Sequence, residues 1–202
     1  KAQLRTADGL AIGSLALNIY NVTNDQDYLL CREYVSKCFS SIKVIQADGK
    51  SLSKQDLIPE FDAETLTLKH SELQQPKGTC LLIDERQMEC GELDAVATKN
   101  IKALLMIATQ QRLQYAFPYC LCDIDVDYPV LVVSQEKSLV PCHWRVDFDS
   151  IKTVLVQAPM IREYVQHLRN AVQPDIPEET ARAIETDYLT KGPEKGIDES
   201  KL

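Results

Sequence analysis

The sequence predicts an α/β protein, a mostly parallel sheet with flanking helices, a β-hairpin insertion and a C-terminal helical segment. Three observations carry that expectation. Apolar runs of strand length take turns with stretches of helical period along residues 10–133. Cys80-Leu-Leu-Ile-Asp84 is a continuous apolar run, as a strand buried on both faces requires. The stretches 112–117 and 119–127 alternate instead, around a turn containing Pro118, which is the pattern of a hairpin.

Taken in order, Leu10 to Tyr20 is apolar and β-compatible, and Asn21-Val-Thr-Asn-Asp25 offers turn and capping residues. A helix follows, with Tyr28, Cys31, Val35, Cys38 and Phe39 on one face. Ile42 to Ile45 is a short strand, the segment around Pro59 is irregular, and Leu66 and Leu68 mark a further strand. Gln75-Pro-Lys-Gly78 breaks the chain ahead of the Cys80 strand. A helix is expected from Thr98 to Gln111, burying Ile101, Leu104, Leu105 and Ala108. After the hairpin come a buried strand from Val130 to Val133 ending at Ser134, and extended pieces at 144–148 and 153–156. The pattern turns helical from Met160 to Val172, and Pro177 opens a last helix to about Leu189, its first turn suited by Glu178 and Glu179.

The chain has 202 residues, 45% of them apolar, enough to bury a substantial core. Twenty-two basic against 30 acidic residues give a net charge of −8, which argues against duplex nucleic acid and for a basic protein surface as partner. No apolar run is long enough to span a membrane, and the first residues lack the apolar core of a signal peptide. The absence of an initiator Met is what a fragment would show. Seven scattered cysteines read as free thiols in a reducing compartment, cytosol or nucleus.

The strand at Cys80 ends in adjacent carboxylates, Asp84 and Glu85. In P-loop ATPases such a strand carries the acid that holds magnesium, and the triphosphate sits in a glycine-rich loop with a lysine. The loop after the first strand, Asn21 to Asp25, has neither glycine nor lysine. The pairing predicts a P-loop-ATPase-like fold reused for binding, without cofactor, metal or catalysis. The competing possibility for the carboxylates is structural, as caps for a neighbouring loop or helix.

Other motifs carry less. Gly49-Lys50-Ser51 imitates the end of a phosphate loop, but Val44 stands where the upstream glycine belongs, so a surface turn is expected. Asp123, Asp125 and Asp127 open like a calcium loop, yet Tyr128 replaces the turn glycine and Ser134 the bidentate glutamate; we read them as the solvated face of a projecting hairpin and a candidate partner surface. Cys120 and Cys122, with Cys142 and His143, lack zinc spacing and are expected to be buried free thiols. His70, His143 and His167 stand in no nucleophile motif.

Four blocks then carry a family resemblance: Leu81-Leu-Ile-Asp-Glu-Arg-Gln-Met-Glu-Cys-Gly-Glu-Leu-Asp94, Asn100-Ile-Lys-Ala-Leu104, Gln114-Tyr-Ala-Phe117 and Val130-Leu-Val-Val-Ser-Gln-Glu-Lys-Ser-Leu-Val-Pro141. In order and spacing they resemble the C-terminal half of the MCM-binding protein family, with support from Leu57-Ile-Pro59, Arg162-Glu-Tyr164 and Ala183-Ile-Glu-Thr-Asp-Tyr188. The resemblance implies a divergent relative of the AAA+ and MCM ATPases, resident in the nucleus. It would bind MCM helicase subunits and act in their assembly, their removal from chromatin and sister-chromatid cohesion. It further implies Asp84 and Glu85 as vestiges of the acidic strand end and Ser134 at a sensor-like position. The family's N-terminal region and final helical segment are not seen in the sequence, and the 156–164 connection is shorter than in some relatives. The expected division is an AAA+-like domain lacking a P-loop at residues 1–158, a helical lid-like segment at 159–190 and a polar tail at 191–202. An active remodelling ATPase and a scaffold unrelated to replication are the alternatives.

Overall fold

A computed structural model describes residues 4–5, 11–88, 91–152, 161–170, 177–180, 182–183 and 186. The chain divides into two units, Lys1–Arg169 and Asn170–Leu202. The first contains eleven described strands: β1 (Leu4–Arg5), β2 (Ala11–Ile12), β3 (Ala16–Tyr20), β4 (Ile42–Gln46), β5 (Glu60–Asp62), β6 (Thr67–Lys69), β7 (Cys80–Asp84), β8 (Arg112–Ala116), β9 (Leu121–Asp125), β10 (Val130–Val133) and β11 (Trp144–Asp147). The helices are α1 (Asp25–Cys38), α2 (Gly49–Leu52), α3 (Ala95–Gln110), α4 (Phe148–Ile151) and α5 (Ile161–Asn170).

The central sheet is parallel throughout, in the order β11-β3-β10-β7-β4. Its middle strands read as apolar runs because both faces are covered. Leu81 and Ile83 of β7 and Val130 and Val132 of β10 face a core shared with Leu104 and Ile107 of α3. Their alternate neighbours Cys80, Leu82, Leu131 and Val133 face Tyr28, Cys31 and Val35 of α1 and Phe148 of α4. The result is a sheet between two helical layers.

The helices start where short polar side chains replace missing backbone partners. Asn24 caps α1 by accepting from Asp27 N–H at 2.8 Å, and Asp25 and Asp27 suit the positive end. Asp94 caps α3 by accepting from Ala97 N–H at 2.7 Å, so this helix begins three residues before the expected Thr98. Its buried stripe is Ala97, Asn100, Ala103, Leu104, Ile107 and Ala108. Leu104 and Ala108 were expected there, whereas Ile101 and Leu105 lie only half-buried at its margins. Asn100 is buried because its amide donates to Leu52 O and Gln55 O, both at 2.8 Å, tying the α2 turn to α3. Gln111 ends α3 in the left-handed region at φ 52°, with its side-chain amide bonded to Ile107 O, Tyr128 O and Tyr128 N–H.

The hairpin forms, in antiparallel register from Arg112↔Asp125 to Ala116↔Leu121. It does not stand alone. β8 makes one parallel bridge to β5 at Glu60↔Ala116, and β5 pairs antiparallel with β6, giving a second sheet in the order β6-β5-β8-β9. The expected Leu10–Tyr20 strand is divided at Gly13, φ 78°, with β2 in a separate ribbon with β1. The extended piece at 153–156 lies outside the described residues, and the last helix is described only in part, with Glu178 and Arg182 paired at 2.6 Å.

Candidate functional site

In a parallel α/β sheet a ligand crevice opens where neighbouring strands lead their connections in opposite directions. Here that is the carboxyl end of β3 beside β10: from β3 the chain crosses to β4 at one edge, and from β10 it crosses to β11 at the other. The third strand end at this corner is that of β7. The sequence thus brings together the 21–24 loop, Ser134 and Asp84.

The corner is filled by protein. The 21–24 loop is stitched to the end of β10, with Asn21 N–H donating to Gln135 O and Val22 N–H to Ser134 O, each at 3.1 Å. Ser134 is buried; its hydroxyl accepts from the Asn18 amide at 2.8 Å and donates to Glu136 O at 2.6 Å.

Asp84 is buried and held by Arg86. The guanidinium donates Nε to Oδ1 and Nη2 to Oδ2, both at 3.0 Å, and Arg86 N–H adds a third bond to Oδ1 at 3.1 Å. The same guanidinium reaches the α1 cap, donating Nη1 to Asn24 O at 3.2 Å and to Asp25 Oδ1 at 2.9 Å. It lies 4.1 Å above the Tyr28 ring centre. Bidentate pairing of this kind satisfies a carboxylate in charge and in geometry. Arg86 was not singled out from sequence. The available signal was its place directly after Asp84-Glu85, on the strand end whose charge it neutralises.

Glu85 turns the other way and accepts from Leu139 N–H at 3.1 Å and Val140 N–H at 3.3 Å, fixing the loop after β10. Burial pushes its carboxyl above the ordinary glutamate value, opposed by hydrogen bonds from Ser138, Leu139 and Val140.

Beside the corner a cavity of about 720 Å³ is lined by Asp48, Lys50, Arg86, Glu92, Asp94 and Gln135 among others. The Gly49-Lys50-Ser51 segment on its wall forms the short α2, and Asp48 occupies the amino end by accepting from Lys50 and Ser51 N–H at 3.0 and 2.9 Å. A carboxylate already sits where a phosphate would bind.

The hairpin carboxylates divide. Asp123 and Asp125 are exposed on β9 and face Gln114 at 3.0 Å and Arg112 at 3.3 Å. Asp127 departs from the expectation of a solvated face. It lies past the end of β9, is 9% exposed, and its carbonyl accepts from Gly78 N–H at 2.8 Å. The chain has left the hairpin there and leads into β10, held by the bond to Gly78.

Among the described residues no group of three or more His, Cys, Asp or Glu side chains is placed to hold a metal, and the described cysteines are free thiols; Cys120 and Cys122 are exposed at the hairpin turn and on β9 instead of buried as expected. No helix among them is long and apolar enough to cross a membrane.

Fold and site define a parallel α/β module whose acidic strand end is satisfied from within by an arginine. The model of the family described as mini-chromosome maintenance replisome factor matches residues 3–195, and the chain belongs to that family. It is 26% identical over 171 residues to the mini-chromosome maintenance complex-binding protein of Dictyostelium discoideum, covering 83% of this chain and 23% of that protein. The Gallus gallus protein of the same name is 26% identical over 174 residues, 84% of this chain and 26% of that one. A UPF0616 protein of Schizosaccharomyces pombe is 28% identical over 191 residues, 90% of this chain and 37% of its own length. The chain thus spans between 23% and 37% of the length of these relatives.

Proposed function

We propose that this chain is a non-catalytic module that binds subunits of the MCM replicative helicase. The names of its relatives support the partner. The observation that carries the non-catalytic part is Arg86 on Asp84, which occupies with a fixed side chain the cation-binding face an ATPase would leave for magnesium. The loop after the first strand spends its Asn21 and Val22 N–H groups on the end of β10, and Asp48 engages the Lys50 and Ser51 N–H groups of α2, so these groups are not offered to a phosphate.

The AAA+-like ancestry belongs to the same proposal. It is supported by an acidic strand end, a hydroxyl at the next strand end and a first-strand loop meeting at one corner of a parallel sheet. On this proposal the module packs against an MCM subunit where another ATPase subunit would sit, by surface complementarity instead of nucleotide. It acts in the nucleus on MCM assembly, chromatin unloading and cohesion, and the net charge of −8 favours a protein partner over duplex nucleic acid.

The test is capture of the purified chain by each MCM subunit in turn, with calorimetry of the same preparation against ATP and magnesium. At least one subunit is expected to form a stable complex, with no heat of nucleotide binding. Micromolar ATP affinity would establish the ATPase alternative, and failure against every subunit and the assembled complex would remove the MCM reading.

A further inference from the structure

We propose that the outer edge of β9 is a docking strand for an extended segment of a partner protein that carries lysine or arginine at alternate positions. β9 ends the four-stranded sheet, and all five of its residues are exposed. The register with β8 decides which backbone groups face outward. Phe117 N–H donates to Cys120 O and Val126 N–H to Gln111 O, so Cys120, Cys122, Ile124 and Val126 turn their backbone groups toward β8. Leu121, Asp123 and Asp125 therefore direct theirs away from it.

The two ends of this sheet differ. β6 is three residues long and carries Lys69, paired with Asp62 at 3.7 Å, an ordinary protection of an edge. β9 is five residues long, has neither lysine nor proline, and stands among exposed apolar side chains, Leu121 at 65%, Ile124 at 43% and Tyr119 at 99%. Outward backbone groups beside exposed apolar side chains form a template for strand addition.

Charge selects the occupant. In a second copy of this chain, the antiparallel register that pairs the whole strand sets Asp123 against its own equivalent, and the next sets it against Asp125. Like charges directly opposite are destabilising. Asp123 is bonded on β8 by the neutral amide of Gln114, so a cation arriving from outside meets a carboxylate not yet engaged by that amide as an ion pair. The inference rests on the MCM reading only for the identity of the partner.

The probe is a seven-residue peptide alternating lysine and valine, with an aspartate–valine peptide as control, added to the full chain while amide exchange is followed by NMR. The lysine peptide is expected to slow exchange at Leu121 and Asp123 by about tenfold or more, and the aspartate peptide to leave it unchanged. Leu121→Pro removes an outward N–H without touching the β8 ladder, so it should fold and lose the protection. Asp123→Lys should reverse the peptide preference, which keeps the test decisive if the proline variant unfolds. No protection by the lysine peptide, equal protection by both peptides, or protection unaltered by Asp123→Lys would overturn the inference. Capture of Asp123→Lys by MCM subunits separates the two proposals: lost capture assigns the edge to MCM, whereas unchanged capture beside the expected peptide results assigns it to another partner.

Discussion

Arg86 closes on Asp84 through two parallel hydrogen bonds of 3.0 Å, in a pair whose side chains are 9% and 3% exposed. The charge at the strand end is thus balanced two residues further along the chain, and the arginine that balances it also pins the start of α1.

Removing one member leaves the other charge buried and unpaired. Arg86→Ala is expected to cost about 3–5 kcal/mol of unfolding free energy, and Arg86→Lys a large part of that, since an ammonium cannot reproduce the fork. Asp25, 87% exposed, contributes little, so Asp25→Asn should cost under about 1 kcal/mol. Urea unfolding of the three variants checks the order; equal losses for Arg86→Ala and Asp25→Asn would contradict the buried-pair account.

Glu85 makes stability depend on pH. Its carboxyl is raised by burial from the ordinary 4.5, so just above pH 4.5 the native state binds more protons than the unfolded chain. Stability from this group falls as pH rises through that window and levels once the native carboxyl is ionised. Against Glu85→Gln, the parent should lose ground upward from pH 4.5 and then run parallel to it. Urea midpoints across the acid range decide this; a parent that gains on the variant would show the Leu139 and Val140 N–H groups outweighing burial.

Leu104 lies on the stripe where α3 meets the sheet and is 1% exposed. Leu104→Ala should cost about 2–5 kcal/mol, the transfer energy of the deleted atoms plus the cavity left behind. Leu29 on α1 is 58% exposed, and Leu29→Ala should stay within about 0.5 kcal/mol of the parent. Thermal melts of the pair read the contrast directly.

The hairpin carboxylates should separate in the same way. Asp123→Lys changes an exposed position facing the neutral amide of Gln114 and should leave the melting temperature near the parent's, whereas Asp125→Lys sets a cation opposite Arg112 and should lower it slightly. Both should slow association with an acid-seeking partner and weaken its salt dependence. Asp127→Lys forces a longer cation into a buried position and should lower the melting temperature distinctly. Melts and association rates at two salt concentrations measure both; an unperturbed Asp127→Lys fold would restore that residue to the exposed surface.

Local pattern was enough for the central sheet and its main helices. β7 and β10 are unbroken apolar runs because both faces are covered, α1 carries its cap and periodic face in the sequence itself, and Leu104 and Ala108 mark the buried side of α3, although its first turn and its Asp94 cap went unread. The absence of a glycine-rich loop after β3 was equally plain. The family, too, was legible from four spaced blocks, since order and spacing survive where overall identity falls to 26%.

Tertiary structure alone decided the rest. β5 and β6 are three residues each, mostly exposed, and joined to the hairpin by a single bridge, so neither apolar period nor propensity announced a second sheet. Asp123, Asp125 and Asp127 share one spacing, but only the turn into β10 buries the third. The sequence places Arg86 beside Asp84, yet what the guanidinium reaches, Asn24, Asp25 and Tyr28, depends on strand order bringing the start of α1 to the end of β7. Spacing determines which side chains share a face of one element; which elements meet is set by packing between segments far apart in the chain.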